Sequence, residues 1–164
     1  MANPQTTPLY APPSRDVVAI ILTCRGKVGL FKRSQNVGFD GGRWQCITGY
    51  VDESSRTFSQ AIIELREETG LEMREINSLV AGETLTLQDD CGATWRVHTF
   101  LATTSRRKLS LNWEHDHYRW VPYHRVSRFD GQVKWLKNVL AVFDEQMVHG
   151  ELDNGRQVAQ PQPT

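Results

Sequence analysis

The chain has 164 residues, 39% of them hydrophobic, which is close to the usual size of one domain and enough to bury a single core. Nineteen Lys and Arg balance 19 Asp and Glu, so no global field draws it to a nucleic-acid polymer or an anionic membrane, and any phosphate binding must come from local groups. No apolar run approaches the ~18 residues of a membrane span and no basic-then-apolar leader opens the sequence, while Cys24, Cys46 and Cys91 lack C-x-x-C spacing; reduced thiols and a cytoplasmic location are expected.

Residues 1–14, with Pro4, Pro8, Pro12 and Pro13, and residues 150–164, ending Gln160-Pro161-Gln162-Pro163-Thr164, lack periodicity and read as flexible tails around a domain at 15–149. Within it, Val17–Thr23 and Val28–Lys32 are predicted strands joined by a hairpin turn at Arg25-Gly26-Lys27. A short strand over Trp44–Ile47 leads to Gly49. A helix then runs from Ser55 or Thr57 to Thr69, with Thr57 and Gln60 spaced as a capping box and Gly70 as its stop. Strands over Leu79–Leu87 and Ala93–Ala102 flank a turn at Gln88-Asp89-Asp90-Cys91-Gly92, and a further strand lies near His117–Val121. The last element is a helix from Gly131 to about Val148, with Val133, Leu136, Leu140 and Phe143 on its apolar side. The pattern is α+β, with a mixed sheet between helices.

The first helix carries an unusual load near its end. Glu64, Glu67 and Glu68 stand at i,i+3 and i,i+4, which groups three carboxylates on one face, while Phe58, Ile62 and Leu65 are expected on the core face. The macrodipole is negative there and each like-charge pair costs roughly 0.2–0.5 kcal/mol, so a solvated acidic face competes with a reading in which a divalent cation offsets the repulsion. Mg²⁺ or Mn²⁺ suits such hard oxygen donors and keeps waters and substrate phosphates in its remaining positions.

With Gly49 before them and Gly70-Leu71 after, these acids resemble the Nudix box, G-x5-E-x7-R-E-U-x-E-E-x-G-U with U a bulky aliphatic. Gly49, Glu64, Leu65, Glu67, Glu68, Gly70 and Leu71 match; Ser55 stands where the box has its first Glu and Ile63 where it has Arg. Both members of one ion pair are thus absent, which strands no buried charge. The resemblance, spanning roughly residues 17–148, implies a Nudix-type α/β/α sandwich and a hydrolase of phosphoanhydrides. It implies Glu67 and Glu68 as ligands of Mg²⁺ or Mn²⁺, Glu64 as a ligand that also serves as general base, and the Gly49 carbonyl as an added ligand. By the same resemblance Glu114 holds a second metal or activates water, and Lys32 or Arg33 presents a cation to phosphate. Their alternative is an ordinary basic strand end.

Trp44 and Trp95 could stack on a base, although a tryptophan in a strand is first a core residue. His115 and His117 alternate like metal ligands, yet no cysteine is adjacent and zinc is not predicted. The run Trp44–Asp52 is similar to the W-Q-x-V-T-G-x-V-E stretch of dihydroneopterin triphosphate and dATP pyrophosphohydrolases. Glu114–Trp120 resembles both these enzymes and the asymmetric diadenosine tetraphosphate hydrolases. The expected substrate is a nucleoside triphosphate or similar nucleotide derivative. Diadenosine polyphosphates, nucleotide sugars and a weakly active nucleotide-binding regulatory domain are the alternatives, and a homodimer is compatible with each.

Overall fold

A computed structural model describes residues 15–158; the tail expected at 1–14 and the 159–164 part of the one expected at 150–164 lie outside the described residues, whereas 150–158 are helical rather than a tail because the last helix carries on through them. β1 (Arg15–Cys24) and β2 (Lys27–Arg33) form the expected hairpin, whose turn uses positive φ at Arg25 and Gly26. The single strand expected over 44–47 is two: β3 (Trp44–Gln45) pairs with β2, and β4 (Ile47–Tyr50) pairs with β1. The chain changes partners at the buried Cys46, an event that a local hydrophobic pattern does not encode.

β1 runs through the middle of the mixed sheet. One edge pairs in parallel with β6 (Thr94–Thr104), and β6 pairs antiparallel with β5 (Ile76–Gln88). The other edge is shared. β4 takes Val17 to Ile20 and β2 takes Thr23 and Cys24, after which β2 continues with β3 on one side and β7 (His115–Pro122) on the other. The sheet therefore parts between β4 and the far half of β2.

Strand alternation sends β1 side chains into two cores. Val18, Ile20 and Leu22 join Phe31, Ile47 and Phe100 beneath Ala61 and Leu65 of α1 (Thr57–Thr69). Ala19 and Ile21 join Leu30, Cys46 and Val97 beneath α2 (Tyr123–Val126), α3 (Leu136–Val142) and α4 (Asp144–Val158). This is the α+β sandwich. Cys24 and Cys46 are buried free thiols, and among the described residues no helix is long and apolar enough to cross a membrane.

The final helical segment departs from expectation at both ends and in the middle. Gly131 to Val133 cannot start a helix because they pair with β3: the Trp44 N–H donates to the Gly131 carbonyl at 2.9 Å and the Val133 N–H to the Trp44 carbonyl at 3.0 Å. The segment breaks at Phe143, whose backbone leaves helical geometry. There the phenyl ring packs so closely on Gly82 of β5 that a Cβ at 82 would lie 2.6 Å from it. Beyond the break, helix continues to Val158, past the expected end near Val148.

Candidate functional site

α1 sets the site. Its N-cap is Arg56 and no side chain caps it; the expected capping box is not formed, because the Gln60 amide is used one turn further on, donating to Glu64 Oε1 at 2.8 Å. Gly70 closes the helix in the left-handed region, its N–H bonded to the Arg66 carbonyl. The faces differ from the expected division. Ala61, Glu64, Leu65 and Glu68 recur at i,i+3,i+4,i+7 and form the buried stripe, whereas Phe58 is 46% and Ile63 41% exposed. Two of the three acids face the sheet, and Glu67 is exposed at the rim.

They fit there because β4 offers no side chain at the contact. Gly49 lies on the α1 side of its strand, and a Cβ on it would meet Glu64 Oε1 at 1.9 Å. Glu64 is 9% exposed, and burial raises its carboxyl above the usual range, assisted by the charges of Glu67 and Glu114 and opposed by the Gln60 bond. Glu68 is fully buried. Burial, then Glu114 and Glu64, push it well above its ordinary value; Arg33 acts in the opposite sense. Neither of its oxygens has a partner at hydrogen-bonding geometry, the Thr48 backbone giving only a weak compensation.

Glu114 comes from the loop before β7. Its N–H is bonded to Asn112 Oδ1, and its carbonyl accepts the Ser34 N–H at 2.8 Å, tying this loop to the β2–β3 loop. The latter is closed at its neck by paired bonds between Arg33 and residues 42 and 43, and Arg33 Nε donates to the Phe39 carbonyl at 2.8 Å. Burial raises the Glu114 carboxyl, with Glu67 adding to the effect and Arg33 opposing it. Arg33 thus supplies positive charge to an otherwise acidic cluster.

Two polar residues that sequence reasoning did not place in the site complete it. Gln45 and His115 are both buried, with Gln45 Nε2 and His115 Nε2 3.2 Å apart. His115 Nδ1 lies 3.5 Å from Glu68 Oε2. A register shift between Lys32 and Arg33 on β2 lets β7 bulge, so His115 turns inward while His117 is exposed. Burial, then Arg33, lower the imidazole from 6.5 to about 4, so the ring is neutral near pH 7. The sequence signal available was the adjacency of His115 to Glu114; the bulge that separates it from His117 was not readable.

The structure thus gathers Gly49, Glu64, Glu68, Glu114 and Arg33, with Glu67 at the edge. Lys32 and Trp44 are on the other side of the sheet, with the core beneath α2–α4. Trp44 is half-buried there, edge-on to Phe129 at 5.0 Å between ring centroids. Trp95 is also half-buried, its indole N–H held by Asp89 and Arg15 over its ring. Among the described residues no group of three His, Cys, Asp or Glu side chains is arranged, as it stands, to hold a metal ion. Magnesium nevertheless needs only one or two protein carboxylates, and the unpartnered oxygens of buried Glu68 are of the right chemistry.

The family model of the NUDIX domain matches residues 12–143. The chain belongs to the NUDIX domain family. Membership places it among pyrophosphohydrolases acting on phosphoanhydrides, and NUDIX hydrolases generally use divalent metals. Solved NUDIX structures share the fold. The NUDIX domain of Shewanella oneidensis NrtR complexed with ADP ribose is 18% identical with a TM-score of 0.68, covering 87% of this chain and 94% of that one. The E. coli dihydroneopterin triphosphate pyrophosphohydrolase is 18% identical at 0.64, covering 79% and 92%. A C. elegans Ap4A hydrolase binary complex is 19% identical at 0.63, covering 82% and 98%. No curated protein matches the chain in sequence.

Proposed function

We propose that this NUDIX domain is a metal-dependent pyrophosphohydrolase of a nucleoside-triphosphate-like substrate. The observation that carries the reading is Glu68: a fully buried carboxyl without a hydrogen-bond partner, among Glu64, Glu114 and Arg33. Such a group costs several kcal/mol when ionised alone, and a cation would offset that cost. Glu67, Glu68 and the Gly49 carbonyl would hold Mg²⁺ or Mn²⁺, with Glu64 and Glu114 as further ligands. Bound there, the ion neutralises phosphoryl charge and makes water more acidic.

The chain's own groups do the rest. Gln60 and the bare Cα of Gly49 orient Glu64, whose raised basicity suits it to accept a proton from water. Arg33 binds phosphate, and Glu114, tied to its loop neck, activates or orients the attacking water. The Trp44–Asp52 run favours α–β cleavage of a triphosphate with release of pyrophosphate, as the name of the E. coli neighbour would suggest. A cytoplasmic nucleotide enzyme is the matching setting.

A second reading is a NUDIX domain that binds nucleotide and turns over little, favoured by Ile63 in place of the box arginine and by the absence of a preset ligand cage among the described residues. Release of phosphate and pyrophosphate from a panel of nucleoside triphosphates, Ap4A and ADP-ribose, with Mg²⁺ and with Mn²⁺, tests both. Full turnover in excess chelator sinks the first reading. Tight binding without turnover selects the second.

A further inference from the structure

Among the described residues, three buried side-chain atoms lack a hydrogen-bond partner: Glu68 Oε1, Glu68 Oε2 and His115 Nδ1. Two of them face each other, Nδ1 and Oε2, at 3.5 Å. Buried polar atoms are seldom left unmatched, so two orphans in apposition call for a reason.

The other nitrogen of the ring supplies it. As the Gln45 amide is placed, its Nε2 donates and His115 Nε2 at 3.2 Å accepts. The single proton of a neutral imidazole is then on Nδ1, directed at Glu68. The ring is fixed as well as oriented: Phe31 packs against it at 5.6 Å between centroids, and Gln45 and His115 are 2% and 4% exposed. A separation of 3.5 Å is too long for a strong bond, and a small rotation of the carboxylate closes it. That rotation would commit Oε2 to the ring.

We propose that His115, held by Gln45, is a positioning residue for Glu68. Its Nδ1–H takes Oε2 and thereby presents Oε1 to the divalent cation. The inference rests on the reading of Glu68 as a metal ligand. It concerns the support of that ligand by groups behind it, an arrangement in which loss of the supporting donor commonly costs 10–100-fold in metal affinity.

The test is calorimetric titration of Mn²⁺ into the metal-free full chain, with melting of the metal-free protein measured alongside. His115→Phe keeps the ring and its packing on Phe31 but removes both nitrogens; Mn²⁺ affinity should fall roughly 10–100-fold. His115→Asn places an amide N–H near the position of Nδ1, and should recover affinity to within about threefold of the wild type (~0.7 kcal/mol). Gln45→Leu frees the tautomer and should weaken Mn²⁺ in the same direction as His115→Phe. Wild-type affinity in His115→Phe, or His115→Asn no better than His115→Phe, overturns the proposal. Should His115→Phe not fold, Gln45→Leu decides: unchanged affinity overturns the proposal, weakened affinity supports it. Glu68→Gln separates the two levels. If it binds Mn²⁺ as the wild type does, Glu68 is no ligand and the reading beneath fails too; if it binds weakly while His115→Phe is unaffected, only the positioning role fails.

Discussion

Replacing Gly49 with alanine adds one methyl group at the point where β4 touches α1. The strand is extended there, so the change asks nothing of the backbone, and alanine is, if anything, the better strand residue by about 0.5–1 kcal/mol. The cost falls on Glu64: the new Cβ would stand 1.9 Å from Oε1, 2.0 Å from Cδ and 2.5 Å from Cγ. Restoring ordinary contact requires the carboxyl to move by roughly 1.5 Å, which also breaks the bond from Gln60. A misplacement of about 1 Å can cost on the order of 100-fold in rate, or ~2.7 kcal/mol of barrier. Gly49→Ala should therefore lower kcat/KM on a nucleoside triphosphate by about 100-fold, while overpacking at the helix–sheet contact, partly offset by the better strand residue, lowers the melting temperature by only a few degrees. Steady-state assay at saturating Mn²⁺ measures the first and calorimetry the second. In a Glu64→Ala background the same change should add little, since its target is gone. Activity within threefold of wild type, or an equal loss in both backgrounds, would refute the argument that Gly49 exists to seat Glu64.

Glu68→Gln should lower activity by orders of magnitude yet raise the stability of the metal-free protein at pH 8, because it removes a buried charge without a partner; thermal melting shows the second effect. The pH dependence of that melting has a definite sign. Glu64, Glu68 and Glu114 keep their protons to higher pH folded than unfolded, so the stability they contribute at low pH is lost as pH rises through their raised folded values. His115 works oppositely, its contribution being lost as pH falls from the ordinary value of 6.5 toward about 4. The acids therefore make metal-free protein melt lower as pH rises above the ordinary carboxylate value of 4.5, a trend that His115 opposes only below 6.5, and saturating Mn²⁺ should abolish or reverse it. Glu114→Gln should reduce kcat more than it raises KM, as expected of a group used chiefly in the transition state; equal effects on both would point to a binding role. Ser55→Glu with Ile63→Arg should be better tolerated in melting and turnover than the two single changes summed, and strict additivity would show that the positions do not communicate.

Much of the site was legible because helical spacing is geometry. Glu64, Glu67 and Glu68 had to share a sector of α1, and Gly70 had to end it. Which edge of that sector met the core was misjudged, since hydrophobicity favoured Phe58 and Ile62 while the actual contact, with a glycine, rewards a carboxylate. The strands were readable from alternation, but the partner change at Cys46 and the break at Phe143 depend on groups distant in sequence: β1 and β2 for the first, Gly82 for the second. Thr57–Gln60 had capping spacing, and tertiary demand for the Gln60 amide at Glu64 prevailed. His115 and Gln45 are 70 positions apart and meet because β2 lies between their strands. No local pattern could join them.

The paired bonds at the neck of the β2–β3 loop separate two tasks that an enzyme designer would wish to vary independently. Arg33 and Glu114 are held below the neck, whereas Phe39 projects above it, 73% exposed. The single link from the tip to Arg33 is a carbonyl, which any residue at 39 supplies. Gly42 must stay, and position 40 must remain Asp, Asn or Gly, because both adopt positive φ. Residues 35–39 are left as a cassette: it can be rewritten, or lengthened at a closure cost of only about 0.6 kcal/mol per doubling, without disturbing the charges beneath it. A library confined to that cassette would vary the loop tip while leaving Arg33 and Glu114 in place.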